Sequence, residues 1–364
     1  MTAHAFLPPS GADAWVPCAL WPTMNARYPS DSTEESEEGR AAHWVVEERT
    51  WGAAHKEGDR APNGYLVTQE MLDGADLWLS AIRPVLGQVL HVEETLLALP
   101  DAPENWGTPD LWTFSAPQLD VYDYKFGHGY VAVEKNWQLI NYALLVLGQL
   151  QVPDDREVLV RLHVVQPRCY DAEPHRTWTA VASDLRAYAN ILYAAVVASR
   201  DPLPKARTGT HCKHCPGRHT CAVLQRDGFS SMDEAFRTLP QELPPEALAV
   251  EMSMVERALE RLRARASGLQ TACLALAREG KLPGWQIERG RSTERWVKSP
   301  AEVLAFANQL GIDISKPDVP MTPGQTRKAG MPDAIVALLT ERTPGPEKLT
   351  RAPDLKTVLN RTTP

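Results

Sequence analysis

Two carboxylates and a lysine stand close together in 107–142, GTPDLWTFSAPQLDVYDYKFGHGYVAVEKNWQLINY. Leu119 and Val121 alternate with the residues between them, a period of two that predicts a strand and delivers Asp123 and Lys125 to one face. Asp110 follows Gly107 and Pro109, where a preceding strand or hairpin can turn its carboxylate toward that face. Carboxylates hold hard divalent cations, and a lysine beside them orients water or offsets charge developing on a phosphate. Gln138 and Tyr142, spaced by four, share one face of the helix predicted next. Each piece alone is weak, because Asp-x-Lys recurs by chance at strand ends; their order and spacing together carry the reading.

The elements that position these residues read as strand, turn, strand, loop, helix. Upstream, DSTEESEEGRAAHWVVEERTWG predicts a helix opened by a capping box between Ser32 and Glu35. It carries His43, with Gly39 four residues earlier as a point of close approach. A second helix is expected over 68–86, then a strand with Glu93 and Glu94, one of which can support a metal site from outside. VLVRLHVVQPRCYD predicts a strand whose end places Arg168 within reach of a phosphate, with Cys169 as a buried thiol. Helical periodicity is expected over 178–200 and over 244–277, where Glu256 and Glu260 are expected to pair with the arginines. PGWQIERGRSTERWV reads as a small hairpin.

A second cluster is made of sulfur. Cys212, Cys215 and Cys221 follow a C-x2-C-x5-C spacing, and Cys18 lies in the N-terminal run WVPCALWP. Clustered thiolates suit a soft metal partner. Zinc fits if Cys18 or one of His211, His214 and His219 completes a tetrahedron, and an iron–sulfur cluster fits if four cysteines are available.

Taken together, these motifs resemble the PD-(D/E)XK nuclease superfamily. Pro109-Asp110 and Asp123-Tyr124-Lys125 match its two halves, and Gln138 with Tyr142 matches the Q-x-x-x-Y helix of its RecB-like branch. Asp123 stands where many members have Glu. The resemblance implies an α/β, restriction-endonuclease-like core, a mixed sheet flanked by helices, with a helical C-terminal extension. It implies Mg2+ or Mn2+ held by His43, Asp110, Asp123 and the carbonyl of Tyr124, with Lys125 as the catalytic base or electrostatic group. Gln138 and Tyr142 would steady the lysine or the substrate, and Glu94 fits the acidic position that often precedes the Asp strand, supporting the metal from outside. Cys18, Cys212, Cys215 and Cys221 also resemble the [4Fe-4S] staple of AddB-type helicase-nucleases and CRISPR adaptation nucleases, with zinc as the alternative. GTPDLW, DYKFG, QPR and HCKHC resemble a group of phage and prophage RecB-like proteins, over about residues 10 to 300.

The function so implied is a metal-dependent DNA exonuclease acting on single-stranded or free ends in phage recombination, replication or repair. A recombinase or single-strand annealing protein is the expected partner. The rivals are a non-catalytic DNA-binding or assembly protein with the same fold, and a zinc-stapled protein in which Asp-x-Lys is accidental.

A formal charge of −8 excludes coating of nucleic acid by bulk charge, so DNA contacts have to be local. No apolar run reaches the length of a membrane span and the N-terminus lacks a leader pattern, so a soluble, cytoplasmic protein is expected, in the host cytoplasm if phage-encoded. The expected organisation is a nuclease domain over 1–235, a helix and hairpin over 236–298, and a small subdomain over 299–364.

Overall fold

The computed structural model describes residues 5–28, 32–153, 157–170, 172–235, 243–290, 293–298, 300–316, 319–343 and 347–351. The chain divides into two units, Met1–Ser267 and Gly268–Pro364, so the division falls inside a long helix rather than at 235 or 298.

In the first unit the proline-rich N-terminus folds into short helices. Helices α1 (Ala12–Trp15) and α2 (Trp21–Arg27) follow a 3-10 turn, and Leu7, Ala12 and Trp15 are fully buried. The Trp15 indole donates to the Pro8 carbonyl at 2.8 Å, so burial of the ring leaves no donor unmet. Helix α3 (Glu34–Thr50) starts one residue later than the sequence suggested. Thr33 Oγ1 accepts from Ser36 N and Ser36 Oγ accepts from Thr33 N, a box closed by two hydroxyls instead of Ser32 and Glu35. Helix α4 (Gln69–Ile82), capped by Thr68, ends before Leu86 because Pro84 turns the chain into a 3-10 segment.

Strands β1 (His91–Val92), β2 (Leu111–Ser115) and β3 (Gln118–Tyr124) run antiparallel. Helix α5 (Trp137–Gln149) then crosses to β4 (Leu159–Val165), which pairs parallel with β3. Strand β5 (His175–Val181) pairs antiparallel with β4 before α6 (Ala182–Ser199) begins. The helix expected over 178–200 therefore starts late: the alternating Thr177 and Thr179 add a strand to the sheet. The result is a five-stranded mixed sheet in the order β1-β2-β3-β4-β5, flanked by helices.

Side-chain parity along β3 decides what each face holds. Tyr122 and Tyr124 pack with Met71, Trp78 and Val45 of α4 and α3. Leu119 and Val121 pack with Ile140 and Ala143 of α5 and Leu185 of α6. Each such buried side chain contributes roughly 1.5–3 kcal/mol. Asp123 and Lys125 share the odd parity of Leu119 and Val121 and therefore emerge on the side of α5. Close packing of α4 on β3 needs Gly74, where a Cβ would stand 2.4 Å from the Tyr124 hydroxyl. Gly39, by contrast, faces open space and is no point of close approach.

Helix α7 (Ala222–Ala235) and the long helix α8 (Pro245–Arg278) follow. Among the described residues, Glu256 and Glu260 form no ion pair with the arginines of α8; Arg261 instead stands 4.0 Å from Asp227 and Arg265 donates to the carbonyls of Arg218 and His219.

The second unit contains β6 (Trp285–Arg289), β7 (Thr293–Trp296), α9 (Pro300–Gln309), β8 (Ser315–Lys316), β9 (Val319–Pro320), α10 (Pro323–Lys328), α11 (Asp333–Leu339), β10 (Thr340–Thr343) and β11 (Glu347–Arg351). The expected hairpin does not close on itself: β6 pairs with β11 and β7 with β10. Val303, Ala307, Ile314, Met331 and Val336 form its core.

Candidate functional site

The end of β3 and the residue before β2 meet through one backbone hydrogen bond, in which the Tyr124 amide donates to Asp110 Oδ2 at 2.5 Å. The other Asp110 oxygen lies 3.1 Å from His43 Nδ1, presented by α3. Glu93 completes the group. Single ligand atoms of His43, Glu93 and Asp110 all lie within 4.8 Å of one another, the spacing a single cation requires. Glu93 reaches this position just after β1 with φ of 49°, a left-handed conformation uncommon for a residue with a Cβ and characteristic of sites whose surroundings impose it.

Beside this cluster stands a second constellation. Lys125 Nζ donates to Asp123 Oδ1 at 2.9 Å and to Gln138 Oε1 at 3.1 Å, while Gln138 Nε2 donates to the same Asp123 oxygen at 2.8 Å. Gln138 sits in the first turn of α5, so the crossover helix closes the triangle. Asp123 Oδ2 is buried and also stands 2.9 Å from Nζ, so the ammonium pairs with both carboxylate oxygens.

The electrostatics follow from crowding. Burial pushes the Glu93 carboxyl up to about 8, and Asp110 beside it adds to the shift. Burial raises Asp123 as well, against the pull of Lys125. Burial also works to lower Lys125 and His43, yet the carboxylates outweigh it: Asp123 and Asp110 raise the lysine and Asp110 raises the histidine. Burial works to raise Asp110, yet it is lowered, because His43, Lys125 and the Tyr124 amide together outweigh burial. Excess acidic groups brought together in one cleft make a site that gains from a positive ion.

The structure thus brings together His43, Asp110, Asp123, Lys125 and Gln138. Three expectations change. Glu94 does not face the cluster; its carboxylate is 2.5 Å from His91 Nδ1, and the neighbouring Glu93 takes the place expected for it. The expected strand ends at Val92, and the left-handed turn at the next residue brings Glu93 rather than Glu94 to His43 and Asp110. Tyr142 does not touch Lys125; its hydroxyl donates to the Thr108 carbonyl at 3.0 Å and so holds the segment that carries Asp110. Arg168 does not extend toward a phosphate: it is buried, bound by Glu38 and Glu70, and lies over the Phe126 ring at 3.8 Å.

The four cysteines also converge. Cys18, Cys212, Cys215 and Cys221 line one small cavity, together with Trp21 and Met24 of α2. Gly217 makes the approach possible, since a Cβ there would meet Met24 at 2.6 Å. The Cys215 thiol is pushed up to about 11, by burial first and then by the neighbouring sulfurs. His211 spends one ring nitrogen on the Arg207 carbonyl at 3.0 Å, and His219 has one at 3.2 Å from that of Pro216. Cys169 is buried away from this group, as a structural thiol.

A family model described as a protein of unknown function, DUF2800, matches residues 4–340. The chain belongs to the DUF2800 family. The matched region includes His43, Glu93, the Asp110–Lys125 segment, Gln138 and all four cavity cysteines, so both clusters are contained within the DUF2800 region. Among the described residues, no helix of this DUF2800 protein is long and apolar enough to cross a membrane.

Proposed function

We propose that this DUF2800 protein is a metal-dependent DNA exonuclease with a PD-(D/E)XK-type core. The observation that carries the reading is the Asp123–Lys125–Gln138 triangle set beside the His43–Glu93–Asp110 cluster. His43, Glu93 and Asp110 would hold Mg2+ or Mn2+, with the Asp123 carboxylate and the Tyr124 carbonyl as the further ligands that the family resemblance implies. A divalent cation supplies charge that stabilises the developing negative oxygens of a phosphodiester and acidifies water.

The chain's own residues do the rest. Asp123 and Gln138 fix the Lys125 ammonium, which orients a water and offsets charge on the phosphate. Tyr142 anchors Thr108 and thereby Asp110; Tyr124 fixes the rotation of the Asp110 carboxylate through its amide. The net charge of −8 puts affinity for DNA on local contacts at this cleft, which suits single-stranded or free ends. The role proposed for the enzyme is phage recombination, replication or repair in the cytoplasm, beside a recombinase or annealing protein.

The cysteine cavity is proposed to hold a [4Fe-4S] cluster that staples the N-terminal helices to the loop before α7. Cys18, Cys212, Cys215 and Cys221 supply the four thiolates such a cluster takes, and a tetrahedral zinc is the alternative.

The test is digestion of end-labelled single- and double-stranded DNA by anaerobically purified protein with Mg2+, Mn2+ or EDTA, alongside its absorption spectrum. Metal-dependent shortening from an end and a broad brown absorption are expected. A colourless protein containing zinc would overturn the cluster assignment, and absence of cleavage by brown protein would overturn the enzymatic one.

A further inference from the structure

Helix α8 carries a pattern that neither the nuclease core nor the cysteine cavity uses. Leu248, Val255, Leu262, Leu269 and Leu276 recur every seven residues, and Met252, Leu259, Ala266 and Cys273 fall between them at alternating spacings of four and three. This is the a/d repeat of a coiled coil, sustained over a span of about 42 Å at 1.5 Å per residue. Leu248, Met252, Val255 and Leu259 are 59%, 57%, 45% and 43% exposed, an apolar stripe open to solvent among the described residues. Leu262 is half-buried, with one flank against Gly228 of α7. A helix that needed only to pack on α7 would leave this second stripe polar.

The charges flanking the stripe say what fits it. Glu251 occupies a g position, while Glu256 and Arg263 occupy e positions. Both Glu256 and Arg263 are exposed. A parallel pair of these helices would set Glu251 against the partner's Glu256, twice. An antiparallel pair with Leu259 facing the partner's Leu262 sets Glu256 against the partner's Arg263, again twice, and stacks Val255 on the partner's Ala266. Opposite charges at facing e positions select the orientation.

We propose that two copies of this chain associate through α8 as an antiparallel coiled coil centred between Leu259 and Leu262. The apolar stripe supplies the association and the Glu256–Arg263 pairs set its direction and register. None of the residues at the Lys125 cleft lies on α8.

Sedimentation equilibrium of the full chain tests this, with circular dichroism as the folding control. The wild type is expected to be a dimer at micromolar concentration, and Leu259→Glu a folded monomer. Glu256→Arg faces Arg263 in the antiparallel arrangement and weakens the dimer by about tenfold, since two attractive pairs become repulsive. Adding Arg263→Glu restores it. In a parallel pair, Glu256→Arg would instead tighten the dimer by facing Glu251, which would overturn the proposed orientation. A wild type that stays monomeric at high micromolar concentration, or a Leu259→Glu variant that remains dimeric, would overturn the interface.

Discussion

Replacing Arg168 by alanine separates a structural reading from a DNA-contact reading of the QPR segment. Its guanidinium makes two hydrogen bonds to Glu38, at 2.8 and 2.7 Å, and two to Glu70, at 3.0 and 2.8 Å. The Arg168 side chain is 8% exposed and Glu38 20%, so that pair is largely shielded from water; Glu70, at 49%, is screened and contributes little. Removing one partner of a buried pair typically costs about 3–5 kcal/mol, and the lost stacking on Phe126 adds to it. Discounting for the exposure of Glu70 gives about 3 kcal/mol. For a unit of this size that lowers the melting temperature by about 6–12 °C. Chemical denaturation and calorimetry measure it, and oligonucleotide binding by the folded variant at low temperature measures the alternative. A variant with wild-type stability and lost DNA affinity would refute the assignment of Arg168 as a clamp between α3 and α4.

Gly74→Ala should lose about 1–3 kcal/mol, because its Cβ runs into the Tyr124 hydroxyl, and Tyr124→Phe should recover part of that loss in the double variant, as a denaturation cycle will show. The Tyr124 hydroxyl is buried without a hydrogen-bond partner, so Tyr124→Phe alone should be close to neutral. Saturating Mn2+ should stabilise the protein by about 2.7 kcal/mol at a hundred times its dissociation constant, an effect weakened in Glu93→Gln and retained in Glu94→Gln. Burial holds the His163 imidazole below its ordinary range, and burial with His163 does the same to His175. Their folded-state values are depressed, so the stability they contribute is complete above about pH 6.5 and is lost as pH falls below it, by up to about 1.4 kcal/mol per unit for each group. Denaturation from pH 8 to 5 should therefore be less acid-sensitive in His163→Asn than in the wild type.

The residues that meet at the candidate site were legible because their types and spacing are constrained locally. Asp123 and Lys125 share strand parity, and Gln138 is fixed by helix periodicity; these relations need no knowledge of the rest of the chain. Glu93 was not separable from Glu94, since the choice depends on where β1 stops and on one left-handed backbone angle. Arg168 was misread for a different reason: a basic residue at a strand end reads the same whether solvent, a phosphate or two distant glutamates will meet it. Similarly, β5 was taken for helix because its alternation is short and runs directly into the pattern of α6. Pairings distant in sequence, such as β6 with β11 and Cys18 with the loop before α7, are set by tertiary packing; only the second left a compositional trace, in the cysteines themselves.

The central claim rests on Lys125, held by Asp123 and Gln138 beside the acidic cluster. The most direct measurement is the single-turnover cleavage rate of end-labelled DNA with Mn2+ by wild type and Lys125→Ala, each shown to be folded by circular dichroism. The variant should cleave at least about a hundredfold more slowly, the scale of a positioned electrostatic or acid–base group. Equal rates in the two proteins would contradict the account.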